Sequence, residues 1–141
     1  MRSIRLAFAL AVAGLSAPAN YQNIEVKIIA NPAIQASEIS RDELSRIFLI
    51  TKSSMKGTQH VEPVLEKGGP TENAFLKQYI GRTDGALMTY YRSLMFTGKA
   101  SIPKSFNSDP EVAEYVARTK GAIGYVSAGA NPAGVKVLTV R

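Results

Sequence analysis

The sequence predicts a single domain with an α/β or α+β layered fold, in which helices pack on a sheet. Helix and strand patterns follow one another along its 141 residues in the order β-α-β-α-α-α-β-β, which is typical of layered folds. Residues 24–30 and 122–126 contain runs of apolar side chains, as expected of central strands covered on both faces. Residues 135–140 predict another strand. The hydrophobic fraction of 45% is ordinary for a globular protein.

Two capping boxes mark the starts of helices. Ser40 with Glu43, and Ser108 with Glu111, have the spacing at which a serine hydroxyl accepts the glutamate amide and the glutamate reaches back to the serine amide. We therefore expect one helix from residue 40 to about residue 48 and another after residue 108.

Two further helices are predicted between these capping boxes. Gly81 ends the first, and the second runs from Asp84 to Gly98. The expected buried stripe of the second helix consists of Leu87, Tyr91, Leu94 and Met95. Residues 61–65 are expected to form an edge or irregular strand, because Pro63 has no amide hydrogen to donate.

The first 19 residues have the pattern of a secretory signal peptide. Arg2 and Arg5 precede an uncharged apolar run at residues 6–15, and Ala17 and Ala19 supply the small residues that signal peptidase reads. A membrane anchor is the alternative, but the run is shorter than the about 20 apolar residues that a spanning helix needs. We therefore expect an exported, periplasmic protein with no membrane span after cleavage, whose residues 20–141 form one domain.

The composition argues against several classes of function. The chain has no cysteine, which excludes disulfides, thiolate metal sites and a cysteine nucleophile. Its single histidine, His60, has no obvious carboxylate partner, and no hydrolase, metalloprotease or nucleotide-binding motif is present. The charges are scattered with both signs mixed, unlike the basic stripe of a nucleic-acid binder. These observations predict a binding protein that is not an enzyme, with no cofactor, no metal and no nucleic-acid partner.

A glycine-rich turn that leads into a helix is the best candidate for a binding site. Free amides and the positive end of a helix dipole favour an anion there, and glycines let the backbone approach it closely. The candidate oxyanion-binding residues are Lys67, Gly68, Gly69 and Thr71. Pro70 removes one amide, and the Glu72 carboxylate would compete with an anion. An ordinary helix start with a flexible entry is the alternative interpretation. The basic, hydroxyl-rich loop at residues 52–58 either lines an anion cleft or is a solvated loop.

Several segments together resemble the phosphate-type periplasmic solute-binding proteins of ABC transporters. They are residues 44–48, 61–64, 90–103 and, most specifically, 112–126, which ends in the sequence GAIGYV. The resemblance extends over about residues 24–140. It implies a type II periplasmic-binding-protein-like fold, here a single three-layer α/β lobe with a mixed sheet flanked by helices.

The resemblance also implies a ligand site. Members of the family close two lobes on an anion and carry an arginine followed by a Ser-Gly-Thr turn at a helix start. Thr71 matches the threonine, Gly68 or Gly69 the glycine, and Lys67 stands near the arginine, whereas the serine is missing. Met55 replaces the tryptophan of the turn after the first helix.

Two functions follow as expectations from the resemblance. The first is binding of inorganic phosphate or a similar oxyanion in phosphate ABC-type transport, with a partner protein or self-association completing the cleft. The second is a periplasmic protein-interaction module that has kept the fold and lost the ligand. A hydrolase is a remote third reading, because the sequence shows no nucleophile–base pair.

We expect the exported protein to begin close to Asn20, because signal peptidase would cut after Ala19. N-terminal sequencing or intact mass of protein from the exported fraction measures this. A chain in that fraction that still carries Met1 would contradict the signal peptide.

Overall fold

A computed structural model describes residues 24–141 and Gly14. The predicted signal peptide therefore lies outside the described residues, apart from Gly14. Within the part of the chain that is described, no helix is long and apolar enough to cross a membrane.

The central layer is a five-stranded mixed sheet. Its strands are β1 (Val26–Ala30), β2 (Glu38–Ile39), β3 (Glu62–Pro63), β6 (Ala122–Ser127) and β7 (Lys136–Val140). They lie in the order β2-β7-β1-β6-β3. Strand β1 is antiparallel to both β6 and β7, while β2 is parallel to β7 and β3 is parallel to β6. A separate parallel pair is formed by β4 (Leu65–Glu66) and β5 (Ser105–Phe106). The predicted central position of β1 and β6 is confirmed.

Helices cover both faces of this sheet. They are α1 (Arg41–Phe48), α2 (Pro70–Phe75), α3 (Asp84–Phe96) and α4 (Asp109–Arg118), and a π-helical segment, Leu76–Ile80, continues α2. On one face, residues of β1 and β6 such as Ile28 and Tyr125 join a core with α1, α2 and α3. On the other face, Ile29 and Val126 join a second core with α4. The two cores make the lobe a three-layer structure, as the resemblance implied.

Each capping box forms in one direction only. The Ser40 hydroxyl accepts the Glu43 amide at 3.1 Å, and the Ser108 hydroxyl accepts the Glu111 amide at 3.3 Å. The returning contacts differ from the prediction, because the Glu43 carboxylate lies 3.4 Å from the Lys52 ammonium group. The Glu111 carboxylate likewise accepts the amide of Asn107 at 2.8 Å. The serines are therefore sufficient to begin both helices.

Two expectations need correction. The predicted strand at residues 61–65 is two short strands in different sheets, β3 and β4, and Pro63 at the break contributes no amide to either. The stripe of α3 is buried only at Leu87 and Tyr91, while Met95 is 45% exposed. The adjoining Phe96 is 83% exposed. The last turn of α3 therefore extends beyond the core.

Gly124 allows α4 to lie close to the sheet. A Cβ atom at this position would lie 2.9 Å from Val64 Cγ2 and 3.0 Å from Val112 Cγ1. Both neighbours are fully buried and cannot turn away into solvent. The glycine is therefore required by packing between β6 and α4.

We expect Gly124→Ala to lower the free energy of unfolding by about 1–3 kcal/mol, because the added methyl group overpacks the core. Urea denaturation followed by circular dichroism measures the change. Gly85→Ala is the matched control, since a Cβ atom there meets nothing within 4 Å. Equal stability of the two variants would contradict the packing argument.

Candidate functional site

The candidate site is the turn that joins β4 to α2. Gly68 and Gly69 have φ angles of +82° and +90°, a region that glycine adopts without strain. The amide of Lys67 donates to the carbonyl of Phe106 at 2.8 Å, which ties the start of the turn to β5. The structure thus brings all four predicted oxyanion residues to one turn at the start of α2.

The side chains of that turn are only partly available to a ligand. Thr71 lies in the first turn of α2, and its side chain is buried. The Lys67 ammonium group lies 3.0 Å from the Met88 sulfur, on α3. Of the four predicted residues, Gly68 and Gly69 are exposed, so the backbone is the most accessible part of the turn.

The Glu72 carboxylate already occupies the turn. One of its oxygens accepts the amide of Gly68 at 2.5 Å. The carboxylate that was expected to compete with an anion thus lies on a backbone donor of the turn. Glu72 is buried, and the Asp84 carboxyl group lies beside it. Burial and Asp84 raise the pKa of Glu72 above its ordinary value, although the Gly68 amide and Lys67 act in the opposite direction.

A second pair of acids lies behind the turn. Asp109 accepts hydrogen bonds from the amide of Ser127, at 3.0 Å, and from its hydroxyl. The Glu66 carboxyl group hydrogen bonds to Asp109, and no N–H or alcohol donor points at the buried Oε2 atom of Glu66. Burial, Asp109 and Glu72 raise the pKa of Glu66 to about 8. Burial and the neighbouring acids therefore favour the protonated form of Glu66, which can donate to Asp109.

The pKa of Asp109 moves in the opposite direction. Burial alone would raise it, yet the hydrogen bonds from Glu66 and Ser127 hold the pKa of Asp109 below its usual range. Sequence reasoning missed this pair. The available signal was Glu66 itself, an acidic residue directly after the apolar residues Val64 and Leu65.

These contacts bring the ends of two strands and the start of a helix together. Glu66 ends β4, Ser127 ends β6, and Asp109 begins α4. At this edge two backbone amides, those of Gly68 and Ser127, each donate to a carboxylate of the chain itself. The edge therefore has backbone donors of the kind that an anion site uses, but Glu72 and Asp109 accept from them.

Tyr125 fixes the edge to the core of the sheet. Its hydroxyl accepts the Glu66 amide at 3.1 Å and donates to the Glu66 carbonyl at 2.8 Å. Its ring stacks on Phe75 of α2, with centroids 3.8 Å apart and planes inclined by 8°. One β6 side chain thus positions the last residue before the turn and the helix after it.

Other candidates lie away from this edge. The loop at residues 52–58 borders a polar cavity of about 580 Å³ that contains Lys52 and Lys56, with Glu38 and Glu43 beside them. Met55 belongs to the core rather than to a ligand site. His60 is exposed, and within residues 24–141 no group of three or more acidic or histidine side chains could hold a metal ion.

A shallow apolar groove of about 750 Å³ lies between α4 and the loop after β6. It is lined mainly by Pro110, Ala113, Ala117, Ala130, Pro132 and Ala133. Asp109, a member of the acid pair, also lines the groove.

No protein-family model and no curated protein gives a significant match to the sequence. Solved structures do match. A putative phosphate ABC transporter substrate-binding protein with bound phosphate from Clostridium perfringens superposes with a TM-score of 0.65 at 15% identity, over 83% of this chain and 45% of that one. PstS from Borrelia burgdorferi gives 0.64 at 17% identity, over 84% and 47%. An ABC-type phosphate transport receptor from Vibrio cholerae gives 0.56 at 17% identity, over 83% and 46%.

The described chain has the fold of one lobe of these proteins. It spans less than half the length of each of them. At such low identity the likeness concerns the fold, and it confirms the resemblance and the single-lobe architecture expected from the sequence.

We expect the stability of this lobe to fall as pH rises from about 5 to about 8. The folded state holds the Glu66 proton more tightly than the unfolded state, since the pKa is about 8 instead of 4.5. Stabilisation is therefore complete below pH 4.5 and is lost as pH rises through the folded pKa. The slope is at most about 1.4 kcal/mol per pH unit for one proton.

Thermal melts over this pH range test the role of Glu66. Glu66→Gln keeps a donor to Asp109 and should flatten the dependence of melting temperature on pH. The flattening should be partial, because Glu72 also has a raised pKa. The exposed Asp42→Asn serves as a control. Parallel profiles for wild type and Glu66→Gln would mean that Glu66 is not the protonated member of the pair.

Proposed function

We propose that this chain is an exported, periplasmic solute-binding lobe that takes inorganic phosphate or a similar oxyanion and serves phosphate ABC-type transport. The observation that carries this proposal is the Gly68–Gly69 turn at the start of α2. It lies in a fold shared with substrate-binding proteins of phosphate transporters, one of which was solved with bound phosphate. No catalytic step is part of the proposal.

The contact of Glu72 supports an oxyanion as the ligand class. A carboxylate oxygen is a chemical stand-in for a phosphate oxygen, because both are anionic acceptors of a backbone amide. The Gly68 amide thus already donates to an oxygen of the right kind at 2.5 Å. Lys67 adds positive charge beside the same turn, and Thr71 has the nearest hydroxyl donor in the sequence.

We propose weak binding for the lobe alone. One lobe leaves a bound anion half solvated, and water screens the charge and hydrogen-bond terms. A dissociation constant near millimolar, about −4 kcal/mol, is expected. Tight binding needs a second protein surface, from a partner protein or a second copy, because the remaining oxygens of a desolvated anion must be paired.

We expect a phosphate titration by NMR to shift the amide signals of Gly68, Gly69 and Thr71. Lys67→Ala and Thr71→Val should each weaken binding several-fold, since a hydrogen bond to a charged group contributes about 1.5–3 kcal/mol before screening. Lys99→Ala, at an exposed position after the end of α3, is the control for loss of one positive charge.

A protein-interaction module is the second candidate. The specific observation in its favour is the exposed apolar end of α3 at Met95 and Phe96. Shifts that map away from the turn, or no shift at tens of millimolar phosphate, would favour this candidate over an oxyanion site.

A further inference from the structure

The Glu72 carboxylate and an incoming anion compete for one donor. An amide has a single hydrogen, and that of Gly68 points at Glu72 at 2.5 Å. An oxyanion can therefore use this amide only after Glu72 has left it. Among the neighbouring residues, Pro70 has no amide hydrogen and the Lys67 amide donates to Phe106, so the exposed backbone donors of the turn are the amides of Gly68 and Gly69.

The displaced carboxylate has few places to go. Glu72 is 6% exposed, and its side chain contacts Asp84 of α3. The charged or titratable groups that face it are Asp84, Glu66 of β4, Lys67 of the turn and Tyr125 of β6. Tyr125 stays neutral because burial raises its pKa. Lys67 is thus the one cation in a group that holds three carboxyl groups, with Asp109 of α4 behind Glu66.

We propose that Glu72 is an internal competitor for the oxyanion at the Lys67–Thr71 turn, and that the anion displaces it with uptake of a proton by the buried carboxyl groups. The inference rests on the proposed function. Its physical basis is that an anion on the turn adds negative charge beside Glu72 and Glu66, while Glu72 loses its amide donor. A buried carboxylate without a partner takes up a proton rather than remain charged.

The linkage makes binding depend on pH. If one proton is taken up with each anion, the affinity for the anion falls by up to about tenfold for each unit by which the pH rises. Sulfate is the informative probe, because its own charge is constant near neutral pH, so any slope reports the protein. Glu72→Gln should raise sulfate affinity at about pH 8 by roughly tenfold, since a neutral amide oxygen competes less well than a carboxylate. The same variant should flatten the slope.

Glu111 provides a matched control. Its carboxylate accepts the Asn107 amide at 2.8 Å at the start of α4, in the same arrangement as Glu72 on Gly68. It is exposed and lies on a different helix. Glu111→Gln should therefore bind sulfate with the wild-type affinity and the wild-type slope.

The test is calorimetry with sodium sulfate and with inorganic phosphate on wild type, Glu72→Gln and Glu111→Gln, from about pH 5.5 to about pH 8.5 at constant ionic strength. For the wild type, sulfate titrations in buffers of different ionisation enthalpy count the protons taken up, which does not require any variant to fold. The inference is supported if the wild type takes up protons and if Glu72→Gln binds sulfate more tightly, with a weaker dependence of affinity on pH. Binding without proton uptake, or with identical slopes in all three proteins, overturns it while leaving the proposed function intact. No binding of either anion by any of the three proteins at about pH 5.5 overturns both.

Discussion

The stacking of Tyr125 on Phe75, together with the two hydrogen bonds of the Tyr125 hydroxyl to Glu66, holds the candidate site to the fold. These contacts link β6, the strand beside the centre of the sheet, to the end of β4 and to α2. An aromatic pair buried in this way contributes about 0.5–1.5 kcal/mol beyond its area. The Tyr125 side chain therefore fixes both ends of the glycine turn, because Glu66 precedes the turn and α2 follows it.

The local charge at this edge differs from that of the whole chain. The sequence carries a net charge of +6, yet the carboxyl groups of Glu66, Glu72, Asp84 and Asp109 meet beside a single lysine. Net charge describes the long-range field, whereas a ligand at the turn feels the groups within a few ångströms. Protonation of Glu66 removes one negative charge from this edge. It therefore lowers the repulsion that a bound anion would meet there.

Local rules were enough to predict the helix starts and the order of the longer elements, but not the two-residue strands β2 and β5. Ser40 and Ser108 each cap a helix through a contact three residues away, and such contacts can be read from spacing. The pairing of Glu66 with Asp109 could not be predicted in this way, because it joins a strand residue to a helix residue far along the chain and depends on how β4 packs on α4. The exposed end of α3 was missed for a related reason, since helical spacing identifies a stripe but not how far the core extends beneath it. The turn itself was predicted from glycine spacing and the family resemblance, and the Glu72 carboxylate that the sequence places nearby accepts the Gly68 amide there.

The two outer strands of the central sheet are both two residues long, and one of them contains Pro63. Edges of this kind offer almost no ladder of free backbone groups to another chain. Along β2 and β3, a strand from a partner, which is a common means of sheet association, would therefore find few backbone groups to pair with. A protein that binds at these two edges would depend on side chains and turns, which makes such an association sensitive to single surface substitutions.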